Sequence, residues 1–339
     1  MEYVICLIND VVVGTITKRF ELLKWETFLK IIKSDNHKFI ESDKIIPNGY
    51  VYDGENFIIN CIEDEQLSVI KVHKSYIYHE AKFQGITRDY TNYIIELLKT
   101  SIKDISFNFI INNSIPFISD LVSIKIGINT EQMINLNNFN KVDYFNGMDK
   151  VIDYSLPNIH FLNQNGIKND VFYIAPVIYK NVTDSEKKRD TLTTFCDIYE
   201  TVSRRISFLN DLNLNNNCNH INLNDCFEFD IFRNYLLDTK IVINVHRSEH
   251  EHTFEELRCL PALMCKCLVI SEISPFTEMV PYNNLVIWVT YDNLITKTKE
   301  VLNNYDFYFN KIFTPENISL LNSLHLQNVI NLKYNLNLN

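Results

Sequence analysis

Short apolar segments that alternate with amphipathic ones are the feature of this sequence that most restricts its fold. From Val69 onward, strand-like runs such as VIKVHKSYIY and FNFIIN are separated by the helix-like segment TRDYTNYIIELLKT, and the alternation resumes after NGIKNDVFYIAP. Buried strands joined by helices are typical of parallel α/β sheets, whose ligands bind beyond the carboxyl ends of the strands. The sequence therefore predicts an α/β fold with functional residues in the loops that follow strands.

The alternation occurs in two series, which divides the chain into parts. The first series closes with KVIDYS and a Pro157-Asn158 pair, and the second begins after residue 165. The residues before the first series combine strand-like YVICLIND with helix-like FELLKWETFLKIIK. The predicted parts are a small N-terminal α+β extension (1–65), a first Rossmann-like unit (66–165), a second Rossmann-like unit (166–310) and a C-terminal helical tail (311–339).

The tail has a clear helix start. Thr314 is a suitable N-cap and Pro315 occupies the first helical position, where its missing N–H costs nothing. We expect this helix to return to the first unit.

Composition favours a soluble cytoplasmic protein that does not bind nucleic acid and has no membrane span. The 339 residues suffice for two cores, and 46% hydrophobic with 22% charged residues is typical of globular chains. The net charge of -10, without a long basic run, argues against nucleic-acid binding. The sequence contains no apolar run of about 18 residues and no basic segment of a secretion signal. Its 8 scattered cysteines suit a reducing compartment.

The segment from Lys240 to Glu272 carries the clearest functional pattern. An apolar strand ends at His246, a polar loop follows, a helix is predicted to begin near Thr253, and a second apolar strand ends at Ser271-Glu272. Because parallel strands end at one edge, the loop and the Ser-Glu pair are predicted to lie together. Backbone amides at a helix N-terminus favour a diphosphate, and nearby carboxylates can accept hydrogen bonds from ribose hydroxyls.

This segment resembles the donor domain of GT-B glycosyltransferases related to glycosyl transferase group 1, of the type that large DNA viruses encode. The family pattern is strand-Asn-x-His, then Leu-Glu-x-x-Arg, then Gly-x-x-Val-x-Ser-Glu. The matching residues are Asn244, His246, Glu255, Arg258, Val269, Ser271 and Glu272. Upstream, VSRRISFLNDL is similar to the family's Arg-Arg segment, and VIDYSLPN resembles the Asp-Tyr-Ser-x-Pro-Asn that precedes the interdomain linker. The likeness covers roughly Lys71 to Tyr308.

The resemblance implies a GT-B architecture of two Rossmann-like domains. It also implies transfer of a sugar from a nucleotide-sugar donor to a glycan or other acceptor, with no metal and no cofactor. The candidate donor-binding residues are Arg204, Arg205, His246, Glu251, Glu255, Arg258, Ser271 and Glu272. In the first unit, His79, Glu80 and Asp89 are candidates for the catalytic base that deprotonates the acceptor, and Gly85 permits close approach of that acceptor.

Each candidate also has a structural interpretation. Glu255 and Arg258 have the spacing of an intrahelical ion pair, and Arg204 with Arg205 fits a solvated helix start. His246 fits a strand cap, and the first-unit candidates fit a polar loop. A zinc site of the three histidines at positions 246, 250 and 252 is rejected, because no fourth ligand has suitable spacing. Two cysteines at positions 265 and 267 have strand spacing, so one thiol is expected in the core and one at the surface.

Departures from the family pattern motivate two alternative functions. Lys266 replaces the glycine before the last strand, and Thr253 and Pro261 occupy the positions of the paired glutamates of many retaining relatives. One alternative is a non-catalytic nucleotide- or carbohydrate-binding protein with a degenerate GT-B fold. The other is a structural module that forms a homo-oligomer through the N-terminal extension.

Overall fold

The computed structural model shows an α/β protein with one antiparallel sheet and two largely parallel sheets. The described residues are 3–8, 11–17, 37–42, 50–52, 57–59, 68–72, 75–79, 86–101, 107–111, 124–133, 139–185, 189–196, 203–215, 219–223, 229–247 and 253–337. Within these ranges, no helix is long and apolar enough to cross a membrane.

The first sheet is built from the N-terminal residues and is antiparallel. Its strands are β1 (Tyr3–Ile8), β2 (Val11–Thr17), β3 (His37–Ser42), β4 (Tyr50–Tyr52) and β5 (Phe57–Ile59). Their order is β3-β1-β2-β4-β5, and β-branched residues of the VVVGTIT run favour the extended backbone. The predicted helix FELLKWETFLKIIK lies outside the described residues.

The second sheet has six strands in the order β11-β10-β9-β8-β7-β6. Its strands are β6 (Ser68–Val72), β7 (Ser75–His79), β8 (Phe107–Ile111), β9 (Ile124–Ile128), β10 (Lys150–Asp153) and β11 (Asp170–Tyr173). From β7 onward all neighbours are parallel, whereas β6 and β7 pair antiparallel. The run VIKVHKSYIY is therefore a hairpin and the single strand predicted for it is wrong. Its polar His-Lys dipeptide lies between the two strands.

Three helices accompany this sheet, and its last strand falls beyond the predicted boundary at residue 165. The helices are α1 (Ile86–Ser101), α2 (Phe139–Asn146) and α3 (Leu156–Gln164). Helix α3 connects β10 to β11, which pair in parallel from Lys150–Asp170 to Asp153–Tyr173. The short β10-α3-β11 crossover thus keeps residues 166–173 with the second sheet, and the next sheet begins only at Thr191.

The third sheet is entirely parallel, with the order β13-β12-β14-β15-β16. Its strands are β12 (Thr191–Thr194), β13 (Asn219–Asn222), β14 (Thr239–Asn244), β15 (Leu268–Glu272) and β16 (Val286–Val289). Its helices are α4 (Ser203–Asn215), α5 (Phe229–Asp238), α6 (Glu256–Met264) and α7 (Leu294–Asn303). Strand β15 is buried along its whole length, as expected for a central strand covered on both faces.

The chain ends with α8 (Tyr305–Ile312) and α9 (Pro315–Asn335). The Thr314 side chain accepts a hydrogen bond from the backbone N–H of Asn317, so the predicted cap and helix start are confirmed. Helix α9 packs against α1 and β11 of the second sheet. There the buried side-chain amide of Asn328 accepts a hydrogen bond from the Ala175 N–H and donates to the Ala175 carbonyl. It also donates to the Tyr93 hydroxyl. The expected return of the tail to the first unit is thus present.

Helix α6 ends in a left-handed turn at Lys266, where the family pattern has glycine. Its φ is 53°. The N–H of Cys267 donates to the Ala262 carbonyl and that of Lys266 donates to the Leu263 carbonyl, both at 2.9 Å. This pair of bonds is a Schellman motif, in which glycine is preferred because a Cβ disfavours positive φ. The turn buries both Cys265 and Cys267 completely, so the expected surface thiol is wrong.

Glycine at position 266 is expected to be more stable than alanine there, by about 1 kcal/mol in the free energy of unfolding. Both substitutions remove the 2.8 Å ion pair between the Lys266 ammonium and Asp184, so the difference between Lys266→Gly and Lys266→Ala reports the strain of a Cβ at positive φ less the greater entropy that glycine loses on folding. Chemical denaturation of the two variants measures this difference. Equal stabilities would contradict the expected excess of strain over that entropy.

Candidate functional site

Charged side chains from three segments meet at the carboxyl edge of the third sheet. Arg204 and Arg205 lie in the first turn of α4, His246 lies two residues beyond β14, and Glu272 is the last residue of β15. Strands β14 and β15 run in parallel register, with Asn244 opposite Ser271. His246, two residues beyond β14, therefore lies beside the end of β15, as the sequence predicts.

Arg204 and Glu272 form a bidentate ion pair. The Arg204 Nη1 lies 2.8 Å from Glu272 Oε2, and Nη2 lies 2.6 Å from Oε1. The guanidinium also stacks on Tyr291, with its central carbon 3.9 Å from the ring centre, and the Tyr291 hydroxyl donates to the Arg204 carbonyl. Only 16% of the arginine side chain and 7% of the glutamate side chain are exposed. The paired, stacked geometry fixes both groups at the strand edge.

His246 is buried beside this ion pair. Its backbone N–H donates to Glu272 Oε2 at 2.6 Å, and its ring Nε2 lies 3.3 Å from the Glu272 carbonyl oxygen. The ring Nδ1 is buried and has no hydrogen-bond partner in the described part of the chain. The Nδ1 atom donates or accepts according to the tautomer of the ring, and a polar group of a ligand can satisfy it.

Glu255 is held between two arginines. Its Oε1 lies 3.2 Å from Arg205 Nη2, and its Oε2 lies 2.8 Å from Arg258 Nη1. Arg205 is itself buried and donates through Nε to the Val245 carbonyl. Burial acts to raise the pKa of Glu255, but the charges of Arg258 and Arg205 outweigh it and lower the pKa below its ordinary value. Glu255 is thus an ionised group that fixes both guanidinium groups.

Glu256, which sequence reasoning passed over, forms a contact between the second and third sheets. Its carboxyl is fully buried, and Oε2 accepts hydrogen bonds from Tyr173 at 3.1 Å and Tyr282 at 2.8 Å. Burial raises the pKa of Glu256 to about 8. A sequence signal for this burial exists, since Glu256 shares the helical i, i+3, i+4 face with the buried Cys259 and Leu260.

Helix α6 begins at Glu256, three residues after the predicted start near Thr253. The preceding backbone stays non-helical and places Phe254 in the core. The Phe254 ring contacts Trp288 with a centroid distance of 4.9 Å and is fully buried. Packing of this aromatic side chain accounts for the later helix start.

At the opposite side, Asp153 organises the carboxyl edge of the second sheet. This fully buried carboxylate accepts hydrogen bonds from Asn129 Nδ2, from the Ser155 backbone N–H and from Asn158 Nδ2, at 2.7, 2.8 and 3.1 Å. Burial raises the pKa of Asp153 to about 7, against the lowering effect of these three donors. The Asp-Tyr-Ser-x-Pro-Asn match is therefore a buried hydrogen-bond network at the start of α3.

The two carboxyl edges meet directly. Gln132, just beyond β9, donates from Nε2 to the Thr253 carbonyl at 3.2 Å, and Tyr173 at the end of β11 reaches Glu256. Several buried polar atoms without a hydrogen-bond partner among the described residues follow strand ends at these edges: Thr130 Oγ1, His246 Nδ1, Thr253 Oγ1 and Ser274 Oγ. Buried polar groups are normally satisfied, so this concentration suits a polar ligand or ordered water.

The remaining predicted residues have different positions. Ser271 is buried and accepts a hydrogen bond from Asn244 on the neighbouring strand. Asp89 lies in the first turn of α1 and is 3% exposed. His79 is the last residue of β7, and its side chain is not described. The predicted residues that lie outside the described part of the chain are Glu80, Gly85 and Glu251, as are His250 and His252 of the rejected zinc site.

Comparison with solved structures gives distant likenesses. TarM aligns with a TM-score of 0.46 and 14% identity over 72% of this chain, and the chain spans 57% of the length of TarM. An Escherichia coli trehalose-6-phosphate structure bound with UDP-2-fluoro glucose aligns with a TM-score of 0.46 and 7% identity, covering 80% of this chain and 88% of that one. At these scores neither likeness bears on function.

Comparison of sequences gives a nearer relative, although no protein-family model matches. Uncharacterized protein R358 of Acanthamoeba polyphaga mimivirus is 33% identical over 216 residues, which are 60% of this chain and 71% of that protein. The chain belongs to the same family as this mimivirus protein.

Proposed function

We propose that this chain is a metal-independent glycosyltransferase that moves a sugar from a nucleotide-sugar donor to a glycan or other hydroxyl-bearing acceptor. One observation carries the proposal. The residues of the donor-site motif converge as a largely buried cluster of five charged residues and one histidine at the edge of a parallel sheet, although they come from separate segments. The cluster consists of Arg204, Arg205, His246, Glu255, Arg258 and Glu272.

The charge balance of this cluster suits a diphosphate. Three guanidinium groups face two carboxylates, Glu255 and Glu272, which leaves one net positive charge. In the proposed reaction the bond between the anomeric carbon and the diphosphate oxygen breaks, and negative charge develops on the departing diphosphate. Arg204, Arg205 and His246 stabilise that charge from positions fixed before the reaction. Glu255 and Glu272 orient the donor.

The proposed acceptor side is the region from the end of β7 to the first turn of α1. The acceptor hydroxyl oxygen forms the new bond to the anomeric carbon, and its proton passes to a base. His79, Glu80 and Asp89 are the proposed candidates for this base, with Gly85 beside the acceptor. A cytoplasmic location, a viral origin and self-association through residues 1–65 accompany the proposal as expectations. The mimivirus relative supports the expected origin.

A second candidate function is nucleotide or carbohydrate binding without turnover. The pairing of Arg204 with Glu272 favours it, because both carboxylate oxygens bond the guanidinium and a donor phosphate must compete with them for Arg204. Binding and turnover measurements on one preparation distinguish the two functions.

Nucleoside diphosphates or nucleotide sugars are expected to raise the melting temperature of the protein by several degrees, since any ligand that binds only the folded state stabilises it. His246→Ala and Arg205→Ala are expected to abolish both this shift and donor hydrolysis or transfer. A chelator is expected to leave activity unchanged. Differential scanning fluorimetry with a panel of nucleotides, followed by product analysis, measures these effects.

Lys240→Ala provides the matched control. Lys240 lies near the amino end of β14, the strand that leads to His246, and its ammonium group contacts Tyr305 instead of the cluster. This variant should bind nucleotides like the wild type. Absence of a shift with every nucleotide and nucleotide sugar in the panel would reject the glycosyltransferase and the nucleotide-binding protein, and a shift without turnover would select the binding protein.

A further inference from the structure

Glu256 accepts one hydrogen bond from a residue of the second sheet and one from a residue beside the third sheet. Tyr173 is the last residue of β11 in the second sheet, whereas Tyr282 lies between β15 and β16 of the third sheet. Both hydroxyls donate to the same oxygen, Oε2. The Ser155 hydroxyl, at the start of α3, also faces the carboxyl and lowers its pKa, although the two groups lack good hydrogen-bond geometry.

Among the described residues, the groups that influence the pKa of this carboxyl include no positively charged side chain. Its titratable neighbours are Tyr90 of α1, Asp153 of β10, Tyr154, Tyr173 of β11, Cys259 of α6 and Tyr282. Burial raises the pKa of each of these tyrosines and of the cysteine, so they are neutral near pH 7. Within the described part of the chain, no salt bridge involves Glu256. The adjacent Glu255, by contrast, contacts two arginines.

We propose that Glu256 is a positioning residue that works as a neutral carboxylic acid, holding the start of α6, and with it Glu255, against the second sheet. The inference rests on the proposed function only where it concerns donor binding. Because Glu255 fixes Arg205 and Arg258, a displaced α6 start disturbs the guanidinium groups assigned to the diphosphate. When Glu256 loses its proton, an ionised carboxylate is buried at this contact without a cationic partner among the described residues, and the arrangement that holds the donor site loses stability.

The sign of the pH effect follows from linkage. Glu256 has a pKa of about 8 in the folded protein, well above the value of about 4.3 in an unfolded chain. Its contribution to stability is complete below the unfolded value and is lost as the pH rises toward 8, after which the loss levels off. In this window the unfolding equilibrium constant rises by up to about tenfold per pH unit.

The first experiment needs no ligand. Glu256→Gln keeps the size of the side chain and cannot ionise, so its stability should lack this pH dependence. Chemical denaturation of both proteins from pH 5 to 9 should show the wild type losing stability relative to Glu256→Gln up to pH 8, with a constant difference above. Asp153 titrates in both proteins, so its effect largely cancels. Parallel stability curves would overturn the inference.

A second variant covers the case in which Glu256→Gln does not fold. Tyr282→Phe keeps the carboxyl but removes one hydrogen bond that lowers its pKa. The loss of stability should then continue to a higher pH than in the wild type. An unchanged window would contradict a role for Glu256.

The second experiment measures donor-site assembly with uridine and guanosine diphosphate by calorimetry from pH 6.5 to 9.5. Above pH 8 the wild type should lose affinity, by up to about tenfold per pH unit, while Glu256→Gln should not. The diphosphate itself adds little, because a terminal phosphate titrates near pH 6. Identical affinity profiles would reject the positioning role. If the stability difference is present but neither nucleotide binds at any pH, the proposed function fails and the neutral-acid contact stands.

Discussion

Asp153→Ala is expected to lower the free energy of unfolding by about 3–5 kcal/mol, because each buried donor left without an acceptor costs about 1–3 kcal/mol. Asp153 accepts hydrogen bonds from two side-chain amides, of Asn129 and Asn158, and from the Ser155 backbone N–H. All four residues are fully buried. Alanine would orphan three donors that connect the ends of β9 and β10 with the start of α3. Chemical denaturation at neutral pH measures the loss.

The matched control is Asp170→Ala. Asp170 lies on the neighbouring strand β11, its side chain is 77% exposed, and its ion pair with Lys150 spans 3.2 Å. Such a surface pair is worth about 0–1 kcal/mol, so this variant should unfold almost like the wild type. If the two alanine variants were equally stable, the Asp153 network would have no role in holding this edge of the sheet.

Asp153→Asn tests the charge separately. Burial raises the pKa of Asp153 to about 7, above its unfolded value, so the stability that its protonated form contributes is lost as the pH rises from about 4 to 7. The asparagine variant has no such titration. Its deficit relative to the wild type is therefore expected to shrink from pH 5 to pH 7. A deficit that grows over this range would contradict the raised pKa.

The sequence allowed prediction of those site residues whose positions follow from strand topology. Parallel strands end at one edge, so His246 and Glu272 could be placed together from the alternation of strands and helices alone. The same rule could not supply their partners. Arg204 pairs with Glu272, which lies 68 positions away in the sequence. Its guanidinium stacks on Tyr291, which follows β16. Those contacts depend on how helices pack across the sheet.

The contact at Glu256 could be predicted only in part from the sequence. Helical spacing placed this residue on the apolar face of α6, which indicates burial, but the two tyrosines that bind it lie 83 and 26 positions away. Glu255 was a candidate because it matches the family pattern together with Arg258, whereas the adjacent Glu256 was not predicted as a site residue. Conversely, the replacement of glycine by Lys266 was visible in the sequence, but only the structure shows that this residue adopts a positive φ.

Glu272→Leu is expected to lower the free energy of unfolding by about 3–5 kcal/mol, the usual cost of breaking a buried ion pair on one side. The substitution removes both carboxylate bonds to Arg204 and the acceptor of the His246 backbone N–H. Arg204 would keep its stacking on Tyr291, but its largely buried guanidinium would lose the bidentate carboxylate that pairs with it. Denaturation measures the stability, and fluorimetry with nucleoside diphosphates measures binding, which is expected to be lost.

Arg204→Met combined with Glu272→Leu separates stability from binding. Replacing both members of a buried pair by apolar residues removes the uncompensated charge, so the double variant should recover much of the stability lost in Glu272→Leu. Nucleotide binding should not return, because the guanidinium assigned to the diphosphate is absent. Recovery of stability without binding would assign the pair to the ligand. A double variant that binds nucleoside diphosphates like the wild type would remove Arg204 and Glu272 from the donor site, leaving their ion pair as a purely structural contact between α4 and β15.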